Sequence, residues 1–204
     1  MFSPIPEEVQ ARMTLLEGRD RADRLDGTEH LSRLRQVPSE TGQFIALLAA
    51  SAPDGAWIEI GTSGGYSTLW LALAARERAT TITTYEILEA KSALASETFE
   101  VARVRDVVTA VHGDFLDHVS NLDDISFCFL DAEKDVYTRC YEAVVERLVP
   151  GGLLVADNVI SHRSELTPMI ESALNDHRVD ALVVPIGKGE LVCRRKASTT
   201  TSGK

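Results

Sequence analysis

Short apolar runs alternate along this chain with stretches whose apolar residues recur every three or four positions. The first pattern reads as buried strands and the second as helices with one packed face. From residue 57 onward the two take turns. Strands are expected at 57–60, 80–86, 106–112, 125–131, 153–157, 179–185 and 190–195. Helices are expected at 66–75, 90–102, 136–148 and 165–176, with a short one near 115–119. Pro150-Gly151-Gly152 reads as a turn, and Gly187-Lys188-Gly189 is too short for a parallel crossover. The last two strands therefore form a hairpin, and the final strand runs antiparallel.

Ahead of this alternation, residues 6–24 read as a surface helix carrying Val9, Met13 and Leu16. Residues 31–38 form a linker or short helix. Ser39 is placed to cap a helix over 40–50, with Phe44, Ile45, Leu47 and Leu48 as its apolar stripe. The sum is an α/β architecture: a doubly wound, mostly parallel sheet of seven strands, with helices on both faces. Three segments are expected: an N-terminal helical extension over 1–38, one ligand-binding domain over 39–196, and a Ser- and Thr-rich disordered tail over 197–204.

Composition narrows the function. The chain has 204 residues, 44% hydrophobic and 25% charged, as an ordinary soluble domain does. Its net charge is -10, which argues against sequence-independent nucleic-acid binding and against an anionic membrane surface. Arg194, Arg195 and Lys196 form the one local basic run. The N-terminus lacks a basic and an apolar signal region, and no apolar run approaches the ~20 residues of a membrane span. Cys128, Cys140 and Cys193 are odd in number and unclustered, so they read as free thiols. A cytoplasmic protein is expected.

Candidate chemistry gathers at strand ends. Asp131 closes one apolar run, and Asp157 and Asn158 close the next. Ligands of open α/β sheets collect beyond the carboxyl ends of the strands. Two carboxylates and an amide meeting there suit a hard cation. Lys134, three residues after Asp131, brings an amine to the same place. Taken singly, Asp131 reads equally as a helix cap, Asp157-Asn158 as an Asx turn and Lys134 as a solvated lysine.

Upstream, Ile58 to Ser67 reads as strand, glycine-rich turn and helix start. Gly61 allows a sharp turn, and Gly64 and Gly65 clear side chains from a ligand's approach. The spacing is not the G-x-G-x-x-G of a pyrophosphate site. Glu59 adds negative charge near the turn, which suits an ammonium-bearing ligand better than phosphates. Glu86 ends the next strand, either solvated or holding both hydroxyls of a ribose. S-adenosylmethionine carries the amine, sulfonium and ribose such a site calls for. Asp114 reads either as a contact to an adenine amino group or as a helix cap.

These segments, together with Phe129 to Tyr137 and Gly151 to Asn158, resemble the metal-dependent class I O-methyltransferases of the catechol and caffeoyl-CoA types. The resemblance runs from about 36 to 195. It implies a Rossmann-like methyltransferase domain over 39–196. It implies that Asp131, Asp157 and Asn158 hold Mg²⁺, with Ca²⁺ and Mn²⁺ as alternatives. It implies S-adenosyl-L-methionine bound by Glu59, Gly61, Gly65, Ser67, Glu86, Asp114 and Asp131, and Lys134 as general base. Ala132 and Glu133 resemble the caffeoyl-CoA branch, yet no segment matches that branch's thioester contacts. The resemblance also implies a homodimer acting on a small phenolic molecule, with the N-terminal helices as dimer contact or substrate lid.

The chemistry matches these residues. A neutral phenol is a poor nucleophile, and a divalent cation acidifies and positions its hydroxyl. Vicinal hydroxyls fill the coordination places that three protein ligands leave open. A dication beside Lys134 opposes a second positive charge there, which helps the amine accept a proton. Two other readings share the cofactor: methylation of an amine, hydroxamate or simple phenol, and a binding module without turnover.

Overall fold

The computed structural model describes residues 3–197. Seven strands form one sheet: β1 (Ala56–Ile60), β2 (Ile82–Glu86), β3 (Val108–His112), β4 (Ile125–Leu130), β5 (Leu148–Ala156), β6 (Val179–Val184) and β7 (Glu190–Arg195). Their order is β3-β2-β1-β4-β5-β7-β6. Strands β1 to β5 pair in parallel, and β7 inserts antiparallel between β5 and β6. The expected Rossmann-like sheet and its antiparallel last strand are both present.

Alternation along the strands divides the core. Trp57, Phe127 and Phe129 face one side, where they meet α2 (Ser39–Ser51), α3 (Tyr66–Glu77) and α4 (Glu89–Val101). Ile58, Ile60, Cys128 and Leu130 face the other, with the four-residue α5 (Phe115–His118), α6 (Tyr137–Arg147) and α7 (Arg163–Asn175). Period-two side-chain geometry explains why neighbouring residues of one strand enter different clusters. Cys128, Cys140 and Cys193 are buried free thiols, as expected.

Three local expectations change. The helix read as lying on the surface, α1 (Glu7–Asp23), buries Val9, Met13 and Leu16 in the same core as α3 and α4. Its Arg12 is buried too, donating to Thr98 Oγ1 and Glu97 at 3.0 Å each. Charged neighbours masked that face, because a buried arginine with partners does not read as apolar. Ser39 is not a cap: Pro38 holds the cap position, without a side-chain bond, and its carbonyl accepts from Gly42 N. Pro150-Gly151-Gly152 is not a turn between elements but an irregular part of β5. Leu148 pairs with Ile125 and Leu153 with Phe127, so the ladder jumps across it. The proline lacks a ladder N–H and Gly151 sits at φ 83°, which a bulge accommodates. The expected tail begins at 197 and lies, from 198 onward, outside the described residues.

Residues 24–38 fold back over the sheet's upper edge. Asp23 accepts from Leu34 N at 3.0 Å and Asp20 from Gln36 N at 3.2 Å. Ser63 Oγ donates to the Leu34 carbonyl at 2.8 Å, tying this loop to the glycine turn. Gly61, at φ 100°, lies so close to β4 that a Cβ would stand 2.0 Å from the Asp131 carbonyl oxygen. Gly61→Ala should therefore lower unfolding free energy by about 2 kcal/mol or more, from left-handed strain and the clash together. Urea denaturation would measure it, and an unchanged midpoint would show that the turn relaxes freely.

Candidate active site

A cleft of about 650 Å³ opens beyond the carboxyl ends of β1, β2, β4 and β5. Glu86, Asp114, Asp131, Lys134 and Asn158 line it, together with His30, Arg33 and Arg35 of the folded-back loop. The side chains expected to hold a cation do converge. Asn158 Nδ2 donates to Asp131 Oδ1 at 2.7 Å and to Asp157 Oδ2 at 3.1 Å. Asn158 N donates to Asp157 Oδ1 at 2.5 Å. Asn158 holds φ 71°, a left-handed conformation that asparagine tolerates better than most residues.

The donor set fits a hard divalent cation. Asp157 is fully buried, and the positive end of one amide dipole bridges it to Asp131. A dipole is a weak substitute for full positive charge between two carboxylates. Burial first, and the Asp131 charge second, raise the Asp157 carboxyl above its ordinary range. Among the described residues, no three His, Cys, Asp or Glu side chains form a closed metal cage. The cluster is two carboxylates and an amide, of which Asp131 and Asn158 border the cleft.

Lys134 sits beside this cluster, in a short 3-10 turn (Lys134–Val136) ahead of α6. Its Nζ donates to the Ala132 carbonyl at 2.8 Å and Tyr137 Oη at 3.0 Å, with Asp131 Oδ1 at 3.5 Å. Tyr137 Oη in turn donates to the Asp157 carbonyl at 3.2 Å. The amine is thus held at one point by the chain around the two carboxylates.

The remaining predicted residues separate into those facing the cleft and those behind it. Glu86 accepts from Ser63 N at 2.7 Å and from Leu88 N at 2.9 Å, one bond to each oxygen. Both oxygens keep lone pairs for a diol. Asp114 caps α5, accepting from Leu116 N at 2.9 Å, and also borders the cleft. Gly61, Ser67 and Asp131 line a small adjoining recess. Asp157, fully buried, borders neither cavity, and two further residues do not reach a ligand surface. Gly65 borders neither cavity, because its open side is filled by Phe99, which would lie 2.7 Å from an added Cβ. Glu59 is fully buried and binds Ser67, Thr68 and Thr84 hydroxyls at 2.6, 2.5 and 2.6 Å. The side chain expected to meet an ammonium points instead into the protein and braces the start of α3.

Several functional candidates escaped the sequence reading. Tyr137 lay within a motif, but its contact to Lys134 appears only in three dimensions. Arg35 pairs with Glu133 across the cleft mouth, 98 positions apart. Glu190, read as a strand residue, has its carboxyl buried against Asp157. Helical or strand period carries no signal for such contacts.

Comparison with known proteins identifies the family. The family model described as O-methyltransferase matches residues 23–196. The chain belongs to that family and is an enzyme of the S-adenosylmethionine-dependent O-methyltransferase class. Among curated proteins it is 28% identical to caffeoyl-CoA O-methyltransferase 2 of Zea mays over 192 residues, covering 82% of this chain and 72% of that one. It is 32% identical to catechol O-methyltransferase of Mycobacterium tuberculosis over 126 residues, 61% of this chain and 57% of that one. In fold it matches an O-methyltransferase of Bacillus cereus crystallised with SAH, with a TM-score of 0.76 and 23% identity, covering 95% and 94% of the two chains.

Glu59 allows a pH test. Burial raises its carboxyl from 4.5 to about 7, outweighing the three hydroxyl donors that act the other way. Its folded value exceeds its unfolded value, so its stabilising contribution is full below about 4.5 and is lost as pH rises through about 7. The shift corresponds to roughly 3 kcal/mol. Relative to Glu59→Gln, the wild type should lose stability between pH 5 and 8 in chemical denaturation. Parallel pH profiles for the two proteins would mean that the carboxyl folds ionised.

Proposed function

We propose that this enzyme transfers a methyl group from S-adenosylmethionine to one hydroxyl of a catechol-like small molecule, with a divalent cation at Asp131, Asp157 and Asn158. The observation that carries the proposal is the convergence of those three side chains, Asp131 and Asn158 on the cleft wall and Asp157 buried against them, with Asn158 Nδ2 2.7 Å from Asp131 and 3.1 Å from Asp157. The names of the maize and mycobacterial relatives support the acceptor class.

When bound, the cofactor supplies an electrophilic methyl group and the cation supplies the charge that acidifies and orients the acceptor hydroxyl. The chain's own residues do the rest. Glu86, oriented by two backbone donors, would accept both ribose hydroxyls. Asp131 and Asn158 border the cleft with Asp157 against them, and the oxygens of these three side chains would hold the cation. Lys134 Nζ would take the hydroxyl proton while the oxygen gains the methyl group. Held by Ala132 and Tyr137, Nζ stays within reach of the carboxylate pair. The loop over residues 24–38 lines the cleft through Arg24, His30, Arg33 and Arg35.

No helix among the described residues is long and apolar enough to cross a membrane. A homodimeric assembly, following from the resemblance alone, and a cytoplasmic location, following from the three unclustered cysteines, are part of the same proposal.

Asp157→Ala should abolish methylation of a catechol panel while leaving S-adenosylhomocysteine affinity nearly unchanged by calorimetry. Parallel loss of both would make Asp157 structural. Lys134→Ala should lower kcat by roughly 10² to 10⁴ with little effect on KM, and an unaltered kcat would remove Lys134 from the reaction. Chelation with EDTA should stop turnover, and activity that survives it would favour an acceptor needing no cation.

A further inference from the structure

Helix α4 buries one stripe at helical spacing, Lys91, Ala95, Thr98 and Phe99. Its other charged residues, Glu89, Glu97 and Glu100, are all exposed. The first position of the buried stripe is thus a lysine, only 7% exposed. A methionine or leucine would fill that position without the cost of taking a charge out of water. Lysines are almost never so buried unless paired. Among the described residues, the Lys91 amine makes no hydrogen bond and no ion pair.

The neighbours say what is missing. Arg35, Glu86, Glu133 and Asp131 are the charged groups that act on Lys91, which places it between the ends of β2 and β4. Each of those carboxylates already has donors. Glu86 takes two backbone amides, Glu133 takes Arg35, and Asp131 takes Asn158 and Lys134. Burial first, and Arg35 next, pull the Lys91 ammonium below the ordinary lysine range, the direction of a cation that lacks an anion against it. Arg33 borders the same cleft and uses only its Nε, donating to the Thr28 carbonyl at 2.7 Å. Lys91 borders the large cleft but not the recess at the glycine turn, where Gly61, Ser63 and Ser67 await the amino-acid end of the cofactor. The missing anion therefore belongs to the molecule that shares the large cleft with the cofactor. One free buried ammonium, with three carboxylates acting nearby, suits a single negative charge.

We infer that the acceptor is anionic: a catechol-like molecule with a carboxylate on an arm away from its hydroxyls, and with Lys91 as the residue that reads that carboxylate. This rests on the proposed catechol chemistry and narrows its substrate class. Lys91 selects the acceptor and takes no part in the transfer itself.

The test uses the full-length enzyme with S-adenosylmethionine and Mg²⁺. The acceptors are 3,4-dihydroxybenzoate, 3,4-dihydroxyphenylacetate and 3,4-dihydroxyphenylpropanoate, each against its methyl ester. Wild type should favour at least one acid over its ester in kcat/KM. Lys91→Met should cut that preference about tenfold to a hundredfold through the KM of the acid, the usual effect of losing a hydrogen bond to a charged group. Lys91→Arg, which keeps the charge, should restore most of it. A wild type that uses acids and esters alike, or a preference that survives Lys91→Met, overturns the inference and leaves the catechol reading standing. A wild type that methylates none of the six compounds overturns both. Calorimetry with S-adenosylhomocysteine and 5′-methylthioadenosine checks the other source of a carboxylate. If Lys91→Met weakens only the former and the acid preference stays, the charge pairs with the cofactor and the inference falls. Should Lys91→Met fail to fold, Lys91→Gln takes its place.

Discussion

The site depends on three parallel strands that hydrogen-bond past their own ends. Asp131 N donates to the Ile60 carbonyl at 2.9 Å, and Asp157 N to the Leu130 carbonyl at 3.0 Å. These two bonds extend the β1, β4 and β5 ladder by one residue and bring both aspartates to the same level. The side chains cannot separate without breaking buried backbone bonds, which are expensive to leave unmade. Gly61 makes the closeness sterically allowed, because any side chain there would strike the Asp131 carbonyl. The glycine turn is thus as much a packing device between strands as a clearance for a ligand.

Two layers surround that ladder. The inner one is ionic and buried: Asp157 and Glu190 lie side by side, with Asn158 and Lys134 distributing what positive character there is. The outer one is made of hydroxyls and backbone amides. Ser67, Thr68 and Thr84 close around Glu59, and Ser63 N and Leu88 N fix Glu86. The contrast has a physical basis. Carboxylates given neutral donors are satisfied in the protein alone, as Glu59 and Glu86 are. Asp157 and Glu190 instead lie against each other, and burial raises both carboxyls above their ordinary range.

The N-terminal segment joins this arrangement through α1. Its buried face meets α3 and α4, and its last turn holds the loop over the cleft through Asp20 and Asp23. Arg35 on that loop pairs with Glu133 beside Asp131. The cover of the cleft is therefore anchored to the same strand end that carries the chemistry.

Most of the fold was legible in the chain. Alternating apolar runs announced seven strands and their helices, because burial on both faces of a parallel sheet demands such runs. The short Gly187-Lys188-Gly189 link required a hairpin. Asp131, Asp157, Asn158 and Glu86 stood out because strand ends in this architecture gather ligands, Lys134 because it follows Asp131 by three residues, and the family resemblance added its role as base. What the linear order could not decide was direction. Glu59 turns inward to three hydroxyls, Gly65 meets Phe99, Pro150-Gly151-Gly152 stays within β5, and Glu190 faces Asp157 across two antiparallel strands. Each depends on which distant residue occupies the neighbouring space, and contacts of that kind leave no period in a sequence.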